Sequence, residues 1–196
     1  PHVAPELTLN SYFRTNGYYV AGAGKIYHGG GGRRSEWDDY AGGVGGDPRP
    51  SGANTGVGGI KFAPLDSRDE DMLDYKSVSW IIDQLGRKHD KPWFLACGLH
   101  KPHMPWNVPR KYYDLYPPET IELPPVLETD LDDLPPEGVR MAKAMGDHEA
   151  ILKSGRWKEA VQGYLAAITF ADAQVGRLLD ALDKSPHATN TIVCFW

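Results

Sequence analysis

Two short stretches of this sequence concentrate side chains that can hold an anion and move a proton. One is Gly24-Lys25-Ile26-Tyr27-His28, and the other is His100-Lys101-Pro102-His103. Each sets a lysine close to histidine on chain that glycine or proline shapes. A lysine ammonium is a point charge with three donors, while an imidazole donates hydrogen bonds and changes its protonation near neutral pH. Such groups suit a tetrahedral oxyanion: Lys25 and Lys101 would supply charge, and His28 and His103 donors and a transferable proton. A lone lysine after glycine is usually solvated, and a lone histidine among aromatics is usually packed. Two such clusters at successive strand ends point instead to a site.

More familiar readings fail on spacing. A phosphate loop ending at Gly24-Lys25 needs glycine at 19 and a hydroxyl at 26, where the chain has Tyr19 and Ile26. Gly22-x-Gly24 opens a dinucleotide fingerprint whose third glycine position is Tyr27. His100 and His103 are three apart, but Pro102 and Pro105 prevent the helix that such zinc-binding pairs use.

These clusters need elements to hold them. Residues 8–16 read as a short helix, with Thr8 as cap, Leu9, Tyr12 and Phe13 on one face, and Asn16-Gly17 as its stop. A strand from Tyr18 delivers the first cluster. Residues 29–59 are glycine-rich and read as a loop or insertion at a substrate rim, or as a partly disordered segment. Residues 69–85 read as a helix whose first turn is acidic. Residues 92–98 form a short buried strand that ends at the second cluster.

Residues 107–138 read as an extended, proline-rich and acidic excursion with one short helix near 111–115. The strongest helical periodicity covers 157–182, with Val161, Tyr164, Leu165, Ile168, Val175, Leu178, Leu179 and Leu182 on one face. The run Thr191-Ile-Val-Cys-Phe-Trp196 reads as a buried parallel strand. A chain stopping inside such a strand reads as an internal piece of a larger domain. Alternating helix and strand imply an α/β sheet covered by helices.

Bulk properties exclude several classes. The chain has 196 residues and a formal charge of -5 with dispersed lysine and arginine, so no basic stripe suggests nucleic acid. No apolar run reaches the roughly 20 residues that span a bilayer. Cys97 and Cys194 give neither a disulfide framework nor a metal spacing, and both read as buried thiols.

Four stretches together resemble the iduronate-sulfatase branch of the sulfatases. They are Thr8-Leu-x-x-Tyr-Phe-x-x-Asn-Gly-Tyr18, Gly24-Lys-Ile-Tyr-His28, Phe94-Leu-Ala-Cys-Gly-Leu-His-Lys-Pro-His103 and Tyr164-x-Ala-x-x-x-x-x-Asp172-x-x-Val-Gly-Arg177. Order and spacing agree, and most of the chain is covered apart from 29–68 and 125–150. The resemblance implies an alkaline-phosphatase-like α/β/α sandwich with a mostly parallel sheet, incomplete in this chain. It implies one catalytic domain of which residues 1–196 are the central part, with 29–68 a glycine-rich insertion and 107–150 a surface excursion.

Carried over residue by residue, the resemblance makes Lys25 the lysine on the sulfate oxygens. His28 becomes the histidine beside a formylglycine, and His103 the histidine that contacts sulfate and protonates the leaving alcohol. Lys101 is expected to bind substrate beside them. The implied substrate is a sulfated small molecule or glycan, and the implied compartment is secreted, periplasmic or lysosomal.

The family also implies a calcium ion and a formylglycine made from Cys or Ser in a Cys/Ser-x-Pro/Ala-x-Arg motif. Neither Cys97, before Gly-Leu-His, nor Cys194, before Phe-Trp, has that motif. Asp38-Asp39 does not match the family's metal-binding pairs, so nucleophile and metal ligands are expected outside this chain. Residues 1–196 alone are then expected to be inactive and, with an apolar sheet edge uncovered, prone to associate. Two alternatives stand beside this one. One is an inactive sulfated-glycan binder, using Trp106, Tyr112 or Tyr113 against sugar rings, and the other is a phosphatase or phosphonate hydrolase of the same superfamily.

Overall fold

The computed structural model describes residues 8–28, 33–42, 46–52, 55–142 and 146–196, so parts of the glycine-rich stretch lie outside the described residues. The chain divides into two compact units: residues 1–47, 69–100 and 171–196 in the first, and 48–68 and 101–170 in the second.

The first unit is built on a parallel three-stranded sheet. Strand β1 (Tyr19–Gly24) lies between β2 (Asp39–Ala41) and β5 (Trp93–Gly98). The β1–β5 register runs from Tyr19 opposite Trp93 to Gly24 opposite Gly98, so both strands end side by side. Small residues let β1 be sandwiched: Val20, Ala21 and Ala23 are fully buried. Helix α1 (Leu9–Thr15) starts where Thr8 Oγ1 accepts the Ser11 N–H at 3.4 Å, as the capping pattern predicts. Of its predicted apolar face, Phe13 stacks on Phe94 at 4.6 Å, while Leu9 and Tyr12 are exposed.

The predicted helix over 69–85 divides in two. Asp69–Asp71 is a 3-10 turn, and α2 (Leu73–Leu85) follows with Val78, Ile81 and Leu85 buried. Asp47 Oδ1 accepts the Leu73 N–H at 2.9 Å, so the first turn is capped by a residue 26 positions away. No local pattern signals that cap.

The second unit holds β3 (Gly56–Val57), antiparallel to β4 (Ile60–Leu65), which pairs in parallel with β6 (Trp106–Pro109). Three short helices, α3 (Arg110–Tyr113), α4 (Pro136–Ala142) and α5 (Asp147–Ser154), also belong to it. Phe62, Ile151 and Ala160 form a core cluster flanked by Val57, Ile60, Trp106 and Trp157. Strand β3 corrects the loop reading at the end of 29–59, β6 corrects the start of 107–138, and α3 answers to the short helix expected near 111–115. Val108, Tyr112, Tyr113 and Ile121 are buried, so the surface excursion is confined to the later part, where residues 122–130 and 132–137 are exposed. Strands of two to four residues, such as β3 and β6, carry too little local periodicity to read from sequence.

Helix α6 (Trp157–Asp183) gives its first half to the second unit and its second half to the first. Its predicted packing face is corrected. The buried stripe is Ala160, Gly163, Ala167, Phe170 and Gln174, whereas Tyr164, Ile168 and Leu179 are exposed. Close approach decides this: a Cβ on Gly163 would stand 2.9 Å from Phe62 Cβ and from the Tyr113 hydroxyl. Small side chains let the backbone come near, and larger ones on the same helix cannot.

The predicted strand over 191–196 is also corrected. The run is unpaired, with Phe195 at 82% and Trp196 at 92% exposure. Apolar, β-branched composition makes a strand only where a neighbour supplies the ladder. Cys194 is accordingly exposed, against the expectation of burial.

Candidate functional site

The first cluster leaves β1 through a junction of two glycines. Gly24 adopts φ +80°, a left-handed backbone that favours glycine, and a Cβ there would overlap the Gly98 carbonyl oxygen. A Cβ on Gly98 would in turn overlap the Lys25 carbonyl. The gap is closed by the Lys25 N–H donating to Gly98 O at 2.8 Å, while the Tyr40 hydroxyl donates to Gly24 O at 2.9 Å. The loop is thereby fixed at its first residues.

Beyond that junction the side chains part. Lys25 is half-buried and His28 exposed, and Lys25 Nζ stands 3.4 Å from His28 Nδ1. An ammonium has no lone pair, so Nδ1 is the acceptor and the ring proton resides on Nε2. Tyr27 turns the other way. Its hydroxyl donates to Glu36 Oε2 at 2.7 Å and accepts from Trp37 Nε1 at 2.8 Å and Asn10 Nδ2 at 2.9 Å. Asn10 also donates to Glu36 Oε2 at 3.0 Å, and Arg33 Nη1 reaches Oε1 at 3.3 Å. Burial, then the bond to Glu36, raises the Tyr27 pKa, keeping the phenol protonated.

Glu36 is 1% exposed. A buried carboxylate is costly unless hydrogen-bonded, and removing a partner from a buried charged network costs about 3 to 5 kcal/mol. Asn10, Tyr27 and Glu36 were not singled out in the sequence because they meet across 9 to 26 residues.

The second cluster begins at the end of β5. Asp74, buried in the first turn of α2, accepts the His100 N–H at 2.7 Å and holds the chain where it leaves the strand. The next residues fold back on themselves within the second unit. Lys101 is 3% exposed, and its ammonium donates to Pro105 O at 2.9 Å. Trp106 Nε1 donates to Pro102 O, also at 2.9 Å. His103 lies exposed at the tip, with Nδ1 2.6 Å from Met104 O. A carbonyl only accepts, so Nδ1 carries the proton, and Nε2 is an acceptor when the ring is neutral and a donor when it is charged.

The structure thus brings Lys25 and His28 together in one unit and sets Lys101 and His103 on a single loop of the other. The aromatics considered for sugar stacking are committed elsewhere: Tyr112 and Tyr113 are buried, and Trp106 spans its own loop and meets Tyr164 at 5.3 Å. An open cleft of ≈ 340 Å³ in the second unit is lined by Pro64, Arg110, Tyr113 and Arg156 among others. Its arginines are already paired, Arg110 with Asp66 and Arg156 with Glu159, both at 2.7 Å.

Among the described residues no three His, Cys, Asp or Glu side chains converge on a position that could hold a metal ion. The Asp38 carboxylate accepts from Arg14 Nε and from the Val20 N–H, both at 2.9 Å, so it joins α1 to β1. The described residues therefore do not fit a calcium ion. Cys97 does not fit a nucleophile, because burial, reinforced by the Asp74 charge, pushes its thiol up to about 12. Iodoacetamide at pH 8 is expected to label exposed Cys194 and spare Cys97 in the native protein, read by peptide mass spectrometry. Equal labelling of both would contradict the buried environment.

Comparison with known proteins agrees with this architecture. The phosphonate monoester hydrolase of Agrobacterium radiobacter shares the fold, with a TM-score of 0.68 at 16% identity over 90% of this chain and 44% of that one. That fold is alkaline-phosphatase-like, with mostly parallel sheets, as expected. A protein named Sulfatase from Formosa agariphila is 36% identical over 209 residues, 96% of this chain and 40% of its own length. Iduronate 2-sulfatase of Homo sapiens is 31% identical over 222 residues, 99% of this chain and 40% of its own length. The chain thus spans about 40% of the length of the curated relatives it matches. With the Sulfatase family model matching residues 4–196, and both cationic clusters within that span, the chain belongs to the sulfatase family.

Proposed function

We propose that this chain supplies the sulfate-gripping and proton-donating side of an enzyme that hydrolyses sulfate esters, in particular of a sulfated sugar or glycosaminoglycan. The observation that carries the reading is the Lys25–His28 pair, 3.4 Å apart on a loop closed by Gly24 and Gly98. Lys25 holds the charged nonbridging oxygens of the sulfate, and His28 donates from Nε2 beside it. His103, with Nδ1–H on Met104 O, presents Nε2 to the leaving oxygen and protonates it. Lys101, whose ammonium donates to Pro105 O at 2.9 Å, is assigned to substrate binding through its charge. On this reading residues 1–196 alone bind the anion without cleaving it, because neither cysteine can serve as nucleophile.

Steady-state rates of the full-length protein on matched aryl sulfate, phosphate and phosphonate monoesters test the reading. Turnover with the highest kcat/KM on the sulfate ester is the expected result. A preference for phosphate or phosphonate would overturn the assignment in favour of that branch of the fold. Sulfated-glycan binding without any turnover would leave a binding protein instead.

A further inference from the structure

Between Lys25 and His28 stands a tyrosine whose hydroxyl is fully used. One O–H donor and two lone pairs are its whole capacity, and Glu36, Trp37 and Asn10 take all three. We infer that the buried Tyr27–Glu36–Asn10 cluster is a positioning device that holds Lys25 and His28 at the spacing needed to grip one sulfate group. The inference rests on the proposed role of Lys25 and His28.

The loop is pinned at two places and nowhere else needs to be stiff. Gly24 and Lys25 are tied through their backbones to Tyr40 and Gly98, and two residues later Tyr27 is tied through its side chain. Ile26 and His28 flank that second anchor. With one anchor the His28 ring would be free to swing; with both, the direction of the residue after Tyr27 is set. Packing alone does not call for Glu36 at this place, since an apolar side chain of similar volume usually serves stability as well as a buried charge does. A carboxylate can orient the phenol and the amide at once, which an apolar residue cannot. Misplacing a binding group by about 1 Å is enough to cost on the order of 100-fold in a reaction that depends on it.

Inorganic sulfate titrations of the full-length protein, followed through the His28 ring 1H–15N signals and alongside kcat/KM on an aryl sulfate, test this. Tyr27→Phe removes the hydroxyl and keeps the ring; it is expected to weaken sulfate about tenfold. In a His28→Ala background, read through kcat/KM, the same change is expected to add almost nothing, because it acts through that ring. Tyr19→Phe, which removes a comparable hydroxyl bond to Gln84 elsewhere in the unit, is expected to leave sulfate affinity unchanged. Asn10→Ala is a second variant that leaves the phenol–carboxylate bond, with a smaller loss in the same direction.

Wild-type sulfate affinity in both Tyr27→Phe and Asn10→Ala, or equal losses in kcat/KM with and without the His28 ring, would overturn the positioning role alone. Lys25→Ala leaving sulfate affinity unchanged would overturn the proposed role of Lys25 and the inference with it. The two failures are therefore distinguishable.

Discussion

Lys25→Ala in the full-length protein is expected to lower kcat/KM for sulfate esters by about 100-fold or more, on activated and unactivated substrates alike. Every sulfate ester presents the same anionic nonbridging oxygens whatever its leaving group, so the loss of a fixed ammonium is felt by each of them. His103→Ala is expected to behave differently. An alcohol leaving group needs its proton, whereas nitrophenolate leaves readily without one. The His103 variant should therefore lose about 100-fold or more on a sulfated sugar and much less on p-nitrophenyl sulfate. Parallel rates for the two variants on the two substrates decide the assignment. Equal losses for His103→Ala on both would place it on the sulfate oxygens rather than on the bridging oxygen.

Gly24→Ala is expected to be the most destabilising single methyl group in the site. The backbone at Gly24 has φ +80°, which costs an alanine about 1 to 3 kcal/mol. The added Cβ also overlaps the Gly98 carbonyl oxygen, which cannot retreat without breaking the bond from the Lys25 N–H. Overpacking of that kind costs about 1 to 3 kcal/mol more. Together they amount to about 2 to 6 kcal/mol, a large share of the 5 to 15 kcal/mol that typically stabilises a domain. Gly98→Ala meets the same junction from the other side.

Two controls separate strain from crowding. Gly17 has φ +85° but nothing within 4 Å, so alanine there should cost the backbone strain alone. Gly176 lies inside α6 with open space around it, so alanine there should stabilise the helix by up to about 1 kcal/mol. Denaturant midpoints for the four variants check the order. A Gly24→Ala midpoint close to that of Gly17→Ala would mean the strand ends do not meet as described.

What could be read without coordinates followed from interactions a few residues long. Thr8 and Asn16-Gly17 mark the ends of α1 because capping is local. Strand β1, strand β5 and the length of α6 were legible for the same reason, as periodicity along one segment. So were both cationic clusters at the strand ends, and the motif order that indicated the family.

What was not legible needed partners from elsewhere. Strands β2, β4 and β6 exist because distant chain completes their ladders, and β3 is a two-residue hairpin arm on β4. The apolar run at 191–196, which by composition is the better strand, has no such neighbour and lies exposed. The buried face of α6 was misread for a related reason. Hydrophobicity favours Tyr164 and Ile168, but the distance of closest approach favours Gly163 and Ala167, and distance won.

The site divides along the same line. Residue type and spacing determined that Lys25, His28, Lys101 and His103 could carry anion chemistry, because charge and proton capacity belong to the side chain itself. Only the tertiary structure decided what each does with that capacity. It faced Lys25 with His28, turned Tyr27 down onto Glu36, and put the Lys101 ammonium on a backbone carbonyl. Orientation depends on hydrogen-bond partners up to 26 residues away, and separations of that kind leave no pattern in a sequence.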